Sequence, residues 1–303
     1  MTAFDPQAFW AKATLFLNRA MEPGDMRSED ERRLWASLAL EQLAKWALAE
    51  TSPVLVADPV IGDGGQLLRA LGLRESVGSV TVGASTAFKR CEVIYRPFSA
   101  KDATKFSEAR NEHLHGPEIA LIGIPAEAWW MRFWSLVDIL LSAHGQSPID
   151  LVGSARSAEV EEHISRSAKA IEKRAEALVA GAQRNLKRYD DGLMSGTEQK
   201  RWDRVTKAPM GVGLKYNAEA TCPACEATGY IEGDYPESEE YQSPEDYDES
   251  PSLEVEFYAD YFMCPNCHLV LETAELVVAG GIDGLFTVYT EAPEYYEPEY
   301  GND

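Results

Sequence analysis

Residues 218–303 contain no lysine and no arginine. Of the 50 aspartates and glutamates, 22 fall in that stretch, so 28 acids in residues 1–217 face all 28 lysines and arginines, and the net charge of −22 belongs to the C-terminal part. A protein of this charge repels nucleic acid on average, although its first 217 residues need not. Long apolar runs are also missing. The most apolar stretch, 119–143, is broken by Glu127, Arg132 and Asp138, which predicts a buried helix rather than a membrane span. The opening Met-Thr-Ala-Phe-Asp-Pro has neither a basic n-region nor an apolar h-region. No signal peptide is expected, and a soluble, cytoplasmic protein without a membrane partner follows. Gly62-Asp-Gly-Gly65 lacks the Gly-Lys-Ser/Thr ending of a phosphate loop and reads as a turn.

A chain of 303 residues is too long for one small core and suggests two or three units. Asp5-Pro6 reads as N-cap and first helical residue, opening a helix to Met21 with Phe9, Ala13, Phe16, Leu17 and Ala20 on one stripe. Ser28 and Glu31 have the spacing of a capping box for a second helix, apolar nearly all round, to about Glu50. Further helices are expected at 66–71, 84–95, 100–115 and 126–144, with a strand or turn near 79–82. The aromatic stripe of 126–144 reads as core. A long helix starting at Ser154 or Ser157 should reach Tyr189, followed by a glycine-rich linker. The end of that helix and the linker are basic, and Arg184, Lys187, Arg188, Lys200, Arg201 and Arg204 are candidate RNA contacts. The domains expected are therefore a helical domain at 1–150, a long helix and basic linker at 151–217, and an acidic domain at 218–303.

The acidic domain reads as strands at 230–231, 253–262, 276–278 and 285–289. Its insert 234–251 and its last dozen residues have the composition of disorder. Four of the five cysteines form two knuckles, Cys222-Pro-Ala-Cys225 and Cys264-Pro-Asn-Cys267. Two tight turns that each free two sulfurs suit a tetrahedral structural zinc ion. A redox Cys-x-x-Cys would not need two copies, and the cytoplasm disfavours disulfides. His268 is an alternative ligand. The arrangement resembles a zinc ribbon, with the insert accounting for the 38 residues between Cys225 and Cys264. With four protein ligands no position is open for catalysis, and without metal the small unit should not fold. Cys91 reads as a buried small hydrophobe.

The stretch Arg110-Asn111-Glu112-His113-Leu114-His115, followed by Gly116-Pro117, sits at the predicted end of a helix capped by Ser99. The C-terminal end of the helix dipole favours cations there, and Asn111 and His115 share a face. On its own this is a polar helix end. Set late in an all-helical order, Arg110-Asn111-x-x-x-His115 resembles the Arg-x(4–6)-His motif of HEPN domains, and the resemblance covers residues 4–145.

The resemblance implies a mainly α helical bundle ahead of the β-rich zinc ribbon. It also implies a homodimeric, metal-independent endoribonuclease of a prokaryotic toxin or antiviral-defence type, with Arg110, Asn111 and His115 as catalytic residues. An imidazole can move a proton near neutral pH, and a guanidinium can stabilise charge on phosphorus. His113 is given no catalytic role. HEPN toxins neutralised by a nucleotidyltransferase antitoxin carry a tyrosine two residues after the histidine, where this chain has Pro117. A regulatory protein or antitoxin of another kind remains an expected partner. The alternative is a non-catalytic HEPN adaptor whose zinc ribbon binds a protein, and the acidic insert is a candidate autoinhibitor of RNA binding.

Overall fold

The structure, a computed structural model, describes residues 4–22, 27–61, 64–75, 78–206, 211–242 and 252–291. Helix α1 (Pro6–Ala20) begins where Asp5 accepts a hydrogen bond from the Gln7 amide at 3.0 Å, and it buries Phe9, Ala13, Leu17 and Ala20. Helix α2 (Glu29–Thr51) is buried nearly all round between Ala36 and Ala49 and packs against most helices of its unit. The expected capping box is not formed: Ser28 makes no cap bond. Glu31 instead pairs with Arg27 and accepts from the Trp35 indole. Three acids in the first turn still complement the helix dipole.

After α2 come a short helix α3 (Gly65–Ala70), then α4 (Ala84–Ile94) and α5 (Ala100–His115). The stretch near 79–82 resolves as an isolated antiparallel bridge between Ala57 and Thr81. Cys91 on α4 is fully buried, and burial pushes its thiol pKa up, as an inert core residue requires. Helix α6 (Ala126–Ser142) drives Trp129, Trp130, Phe133 and Trp134 into the core, with Trp129 stacked on Phe133 at 5.5 Å and Phe106 of α5 against both rings. Between α5 and α6 the chain is pinned to α2 by Arg33. This side chain is only 2% exposed and donates to the carbonyl oxygens of Leu121 (2.6 Å) and Ile124 (3.0 Å) and to Glu29 (2.7 Å).

A one-turn helix α7 (Pro148–Val152) precedes α8 (Ser154–Asp190). The chain divides into two compact units between Ala168 and Lys169, inside α8. The apolar stripe of α8 explains the division. Val160 and Ile164 join the first core, whereas Ile171, Ala175, Leu178, Val179, Ala182 and Leu186 join the second. No helix among the described residues is long and apolar enough to cross a membrane.

In the second unit the expected linker contains a helix, α9 (Gly196–Thr206). Ser195 and Glu198 cap it reciprocally, a Ser-x-x-Glu signal overlooked among the glycines. Strands β1 (Tyr216–Thr221), β2 (Thr228–Gly233), β5 (Tyr261–Met263) and β6 (Val270–Leu271) form one antiparallel sheet in the order β1-β2-β5-β6. Strands β3 (Pro236–Gln242), β4 (Ser252–Tyr258) and β7 (Leu285–Glu291) form a second, in the order β3-β4-β7.

Three expectations change here. Residues 236–242 of the supposedly disordered insert are strand β3, because backbone pairing with β4 does not depend on apolar side chains. The rest of the insert, 243–251, and the tail after 291 lie outside the described residues. The single strand expected over 253–262 is split at Ala259 and Asp260, whose amides turn to Gly284 and Glu232, so that β4 and β5 join different sheets. Residues 276–278 are helical, in α10 (Ala274–Ala279). Thr273 caps that helix and the buried Leu276 and Val277 pack on the core, which overrides the β-propensity of paired valines.

Replacing Arg33 with alanine should destabilise the first unit by about 3 kcal/mol, since it removes the donor to two carbonyls and the partner of Glu29. Urea unfolding measures it. A loss within experimental error would mean that the 119–124 segment does not depend on this cation.

Candidate functional site

Helix α5 ends as its sequence predicts. Ser99 caps it by accepting from the Asp102 amide at 3.1 Å, and the Gly116 amide closes the last turn on the Glu112 carbonyl at 2.7 Å. Gly116 is extended (φ −96°) rather than left-handed. Asn111 and His115 are exposed and line a shallow, open depression with Glu108, Glu112 and Gly116. His115 has no hydrogen-bond partner among the described residues. His113 turns away from it, 3.8 Å from Asp30. The Ser28 hydroxyl, outweighing burial, is the main reason the Asp30 carboxyl lies below its usual range.

Arg110 is more constrained. Its side chain is 12% exposed, it donates to Glu41 of α2 at 3.0 Å, and its Nε and Nη2 both reach the Asn111 side-chain oxygen, at 3.2 and 3.0 Å. Glu41 also accepts from Lys45 at 2.9 Å, and Lys45 reaches the Thr81 hydroxyl at 3.3 Å. One carboxylate therefore sits between two cations, and the group keeps a net positive charge directed through Arg110 to Asn111. Arg110 does not itself line the depression and meets it only through Asn111. Glu41 escaped notice in the sequence. Its signal was an acid four residues before a lysine in the apolar middle of the helix.

The four knuckle cysteines come together. Their sulfurs all lie within 4.8 Å of one another, with Cys222 and Cys267 at 3.5 Å and Cys225 and Cys264 at 3.6 Å. Sulfurs about 2.3 Å from a tetrahedral metal ion would be about 3.8 Å apart, so the donor set and its spacing fit such an ion. The two knuckles share one backbone pattern. The amide of the first cysteine bonds five residues ahead (Cys222 to Ala227, Cys264 to Leu269). The fourth residue after it, Glu226 or His268, bonds back and adopts φ near +60°. The Ala224 amide and the Asn266 side chain donate to Cys222 and Cys225 sulfurs, each at 3.4 Å.

Burial pushes the Cys222 thiol up to about 11 and the Cys267 thiol higher still. At Cys225 burial is outweighed by hydrogen bonds, led by Asn266, and the direction is down. A cation among the four is what would make them all thiolates.

His268 is not placed as a ligand. Its ring meets the Thr206 hydroxyl at 2.8 Å and lies 3.9 Å from the Trp202 ring, and burial lowers its pKa. Arg184, Lys187, Arg188, Lys200, Arg201 and Arg204 are all exposed, and Arg188 is paired with Glu198 at 3.1 Å. No family model matches the chain, and neither the curated proteins nor the solved structures contain a match to it.

Burial alone would push the Glu41 carboxyl up, but Lys45 and Arg110 outweigh it and hold the group below the usual glutamate range. A pKa lower in the folded than in the unfolded chain gives stability above the usual range, lost as pH falls through the folded value. Wild type should therefore be more stable than Glu41→Gln at neutral pH, with the gap closing in acid. A gap independent of pH in urea titrations would show that the carboxylate charge is not what holds α5 to α2.

Proposed function

We propose that the chain is a homodimeric, metal-independent endoribonuclease of the HEPN kind, acting as a prokaryotic toxin or in antiviral defence. The observation that carries this reading is the contact of a half-buried, net-positive Arg110 with Asn111, one helical turn before an exposed His115. His115 would take the proton from a ribose 2′-hydroxyl, or return one to the leaving 5′-oxygen. Arg110, directed by Glu41 and Asn111, would stabilise the extra charge on phosphorus. Two copies facing each other would supply an acid and a base in one cleft. Self-association is supported by the exposed Leu114, Ile119, Ile122 and Ile124, an apolar group beside the motif in sequence.

The second unit, in this reading, is a zinc ribbon whose ion is structural. Cys222, Cys225, Cys264 and Cys267 would hold it, and its chemistry is to neutralise thiolates and cross-link two knuckles. The six exposed basic residues of α8 and α9 suit an approaching RNA. A regulatory protein or antitoxin would meet the acidic sheets. One observation favours a second reading, a non-catalytic adaptor: Arg110 is tied to Glu41 and Asn111, as a purely structural link between α2 and α5 would also be.

Mixed RNA incubated with the protein in EDTA, with protein-bound zinc measured in the same samples, separates the two. Cleavage should persist, and His115→Ala should slow it at least about 100-fold. A stable dimer that cleaves nothing under any condition supports the adaptor. Separately, the purified chain should carry a single zinc ion, and Cys264→Ser should lose both the ion and the cooperative unfolding of residues 211–291. Full folding of that variant without metal would dismiss the structural role.

A further inference from the structure

Trp202 of α9 packs against two rings. Tyr189, at the end of α8, stacks on it at 5.4 Å and 21°, and His268 lies against it at 3.9 Å. Two hydrogen bonds reinforce this: His268 Nε2 with the Thr206 hydroxyl at 2.8 Å, and the Tyr189 hydroxyl donating to Asp203 at 3.0 Å. His268 directly follows Cys267, and its own amide bonds to the Cys264 carbonyl at 2.9 Å. Its φ of +60° is unfavourable for a residue with a side chain. That backbone belongs to the closed knuckle, which four sulfurs on one ion would hold. The position of the imidazole therefore depends on the cysteine centre, and the seating of α9 depends on the imidazole.

The rest of α9 gives this seating a purpose. At 100° per residue, Trp202, Thr206 and Glu198 occupy one side of the helix, Lys200 and Arg204 the opposite side, and Arg201 a flank. These three cations are exposed and have no ion-pair partner among the described residues, unlike Arg188. On α8, Arg184 and Lys187 are likewise exposed and opposite the stripe that buries Ala175 and Ala182. In a unit whose remaining charge is overwhelmingly negative, five unpaired cations on solvent-facing helix sides are a local reversal of sign.

We infer that the cysteine centre governs a docking surface: bound metal seats α9 through His268 and so displays Lys200, Arg201 and Arg204 to the phosphates of a single-stranded RNA. Arginine forks suit phosphate oxygens. Lysine and arginine contacts to phosphates carry no base information, so recognition runs through the backbone without sequence preference. The inference rests on the metal reading above and not on the nuclease reading.

The test uses the full chain, with Trp202 emission taken as the difference between wild type and Trp202→Phe. His268→Gly removes the ring while keeping the left-handed backbone that the knuckle needs. Zinc removal from wild type should red-shift Trp202 and accelerate amide exchange in 198–206 at least about tenfold. It should also weaken binding of a labelled mixed-sequence RNA by a similar factor. His268→Gly should retain its zinc and yet behave as zinc-free wild type in all three measurements.

If no metal is taken up, even as cobalt with its thiolate absorption, the metal reading fails and this inference with it. If metal binds but Trp202 does not respond to its removal, or His268→Gly matches wild type, only the coupling is overturned. Displacement of RNA by polyglutamate at equal charge concentration would replace RNA with an acidic protein as the partner. Steeper weakening by salt, with no sequence preference, is expected for RNA.

Discussion

Three charges on one buried helix organise the first unit. Helix α2 is surrounded by other helices, yet it carries Arg33, Glu41 and Lys45 into the core. A charge removed from water must find compensation. Arg33 finds it in the carbonyls of Leu121 and Ile124, which fixes the connection into α6. Lys45 reaches Thr81, beside the bridge that closes the 57–81 loop. Glu41 reaches Arg110, which fixes the end of α5. The aromatic residues of α6 supply the bulk of the burial, but they would pack against several arrangements of the connecting segments. The charges admit few, because a stranded one is far costlier than a shifted methyl group.

The second unit solves a different problem. It folds two small sheets from a stretch with 22 acids and no lysine or arginine. Glu240 and Glu254 face each other directly across β3 and β4, a like-charge pair that opposes sheet formation. Its apolar core is modest and includes the cysteines themselves. The stripe of α8 adds Ala175, Leu178 and Ala182 to that core, so the unit borrows a helix from outside the acidic stretch. The four sulfurs of two distant turns converge within 4.8 Å of one another, where a bound ion would tie the turns at one point. In the coupling inferred above, the same cluster would set the backbone of His268, whose ring meets Thr206 of α9.

At the α5 end the motif residues sit at different depths. His115 is open to solvent, whereas Arg110 is held by Glu41 and Asn111. In the proposed nuclease this would keep the guanidinium oriented before a phosphate arrives, as preorganised electrostatic stabilisation requires. It also makes the orientation depend on a carboxylate 69 residues away in sequence.

The one-turn helix α7 was not legible in the sequence, whereas helices α1 to α6 and α8, the end of α5 at His115, and the pairing of two cysteine knuckles into one site were. These are carried by periodicity, by caps and by Cys-x-x-Cys spacing, all of which act within a few residues. It also located the excess acid. Where local signals compete with long-range packing it fell short. Two valines predicted a strand where Thr273 and the core made a helix, acids predicted disorder where β4 offered a pairing edge, and glycines hid the helix α9. That Glu41 partners Arg110, that His268 packs on Trp202, and that α8 is shared by two cores is visible only in three dimensions. The reason is physical: a salt bridge or ring stack between distant residues leaves no periodic trace in the chain, since what selects it is the cost of burying a charge or ring without a partner.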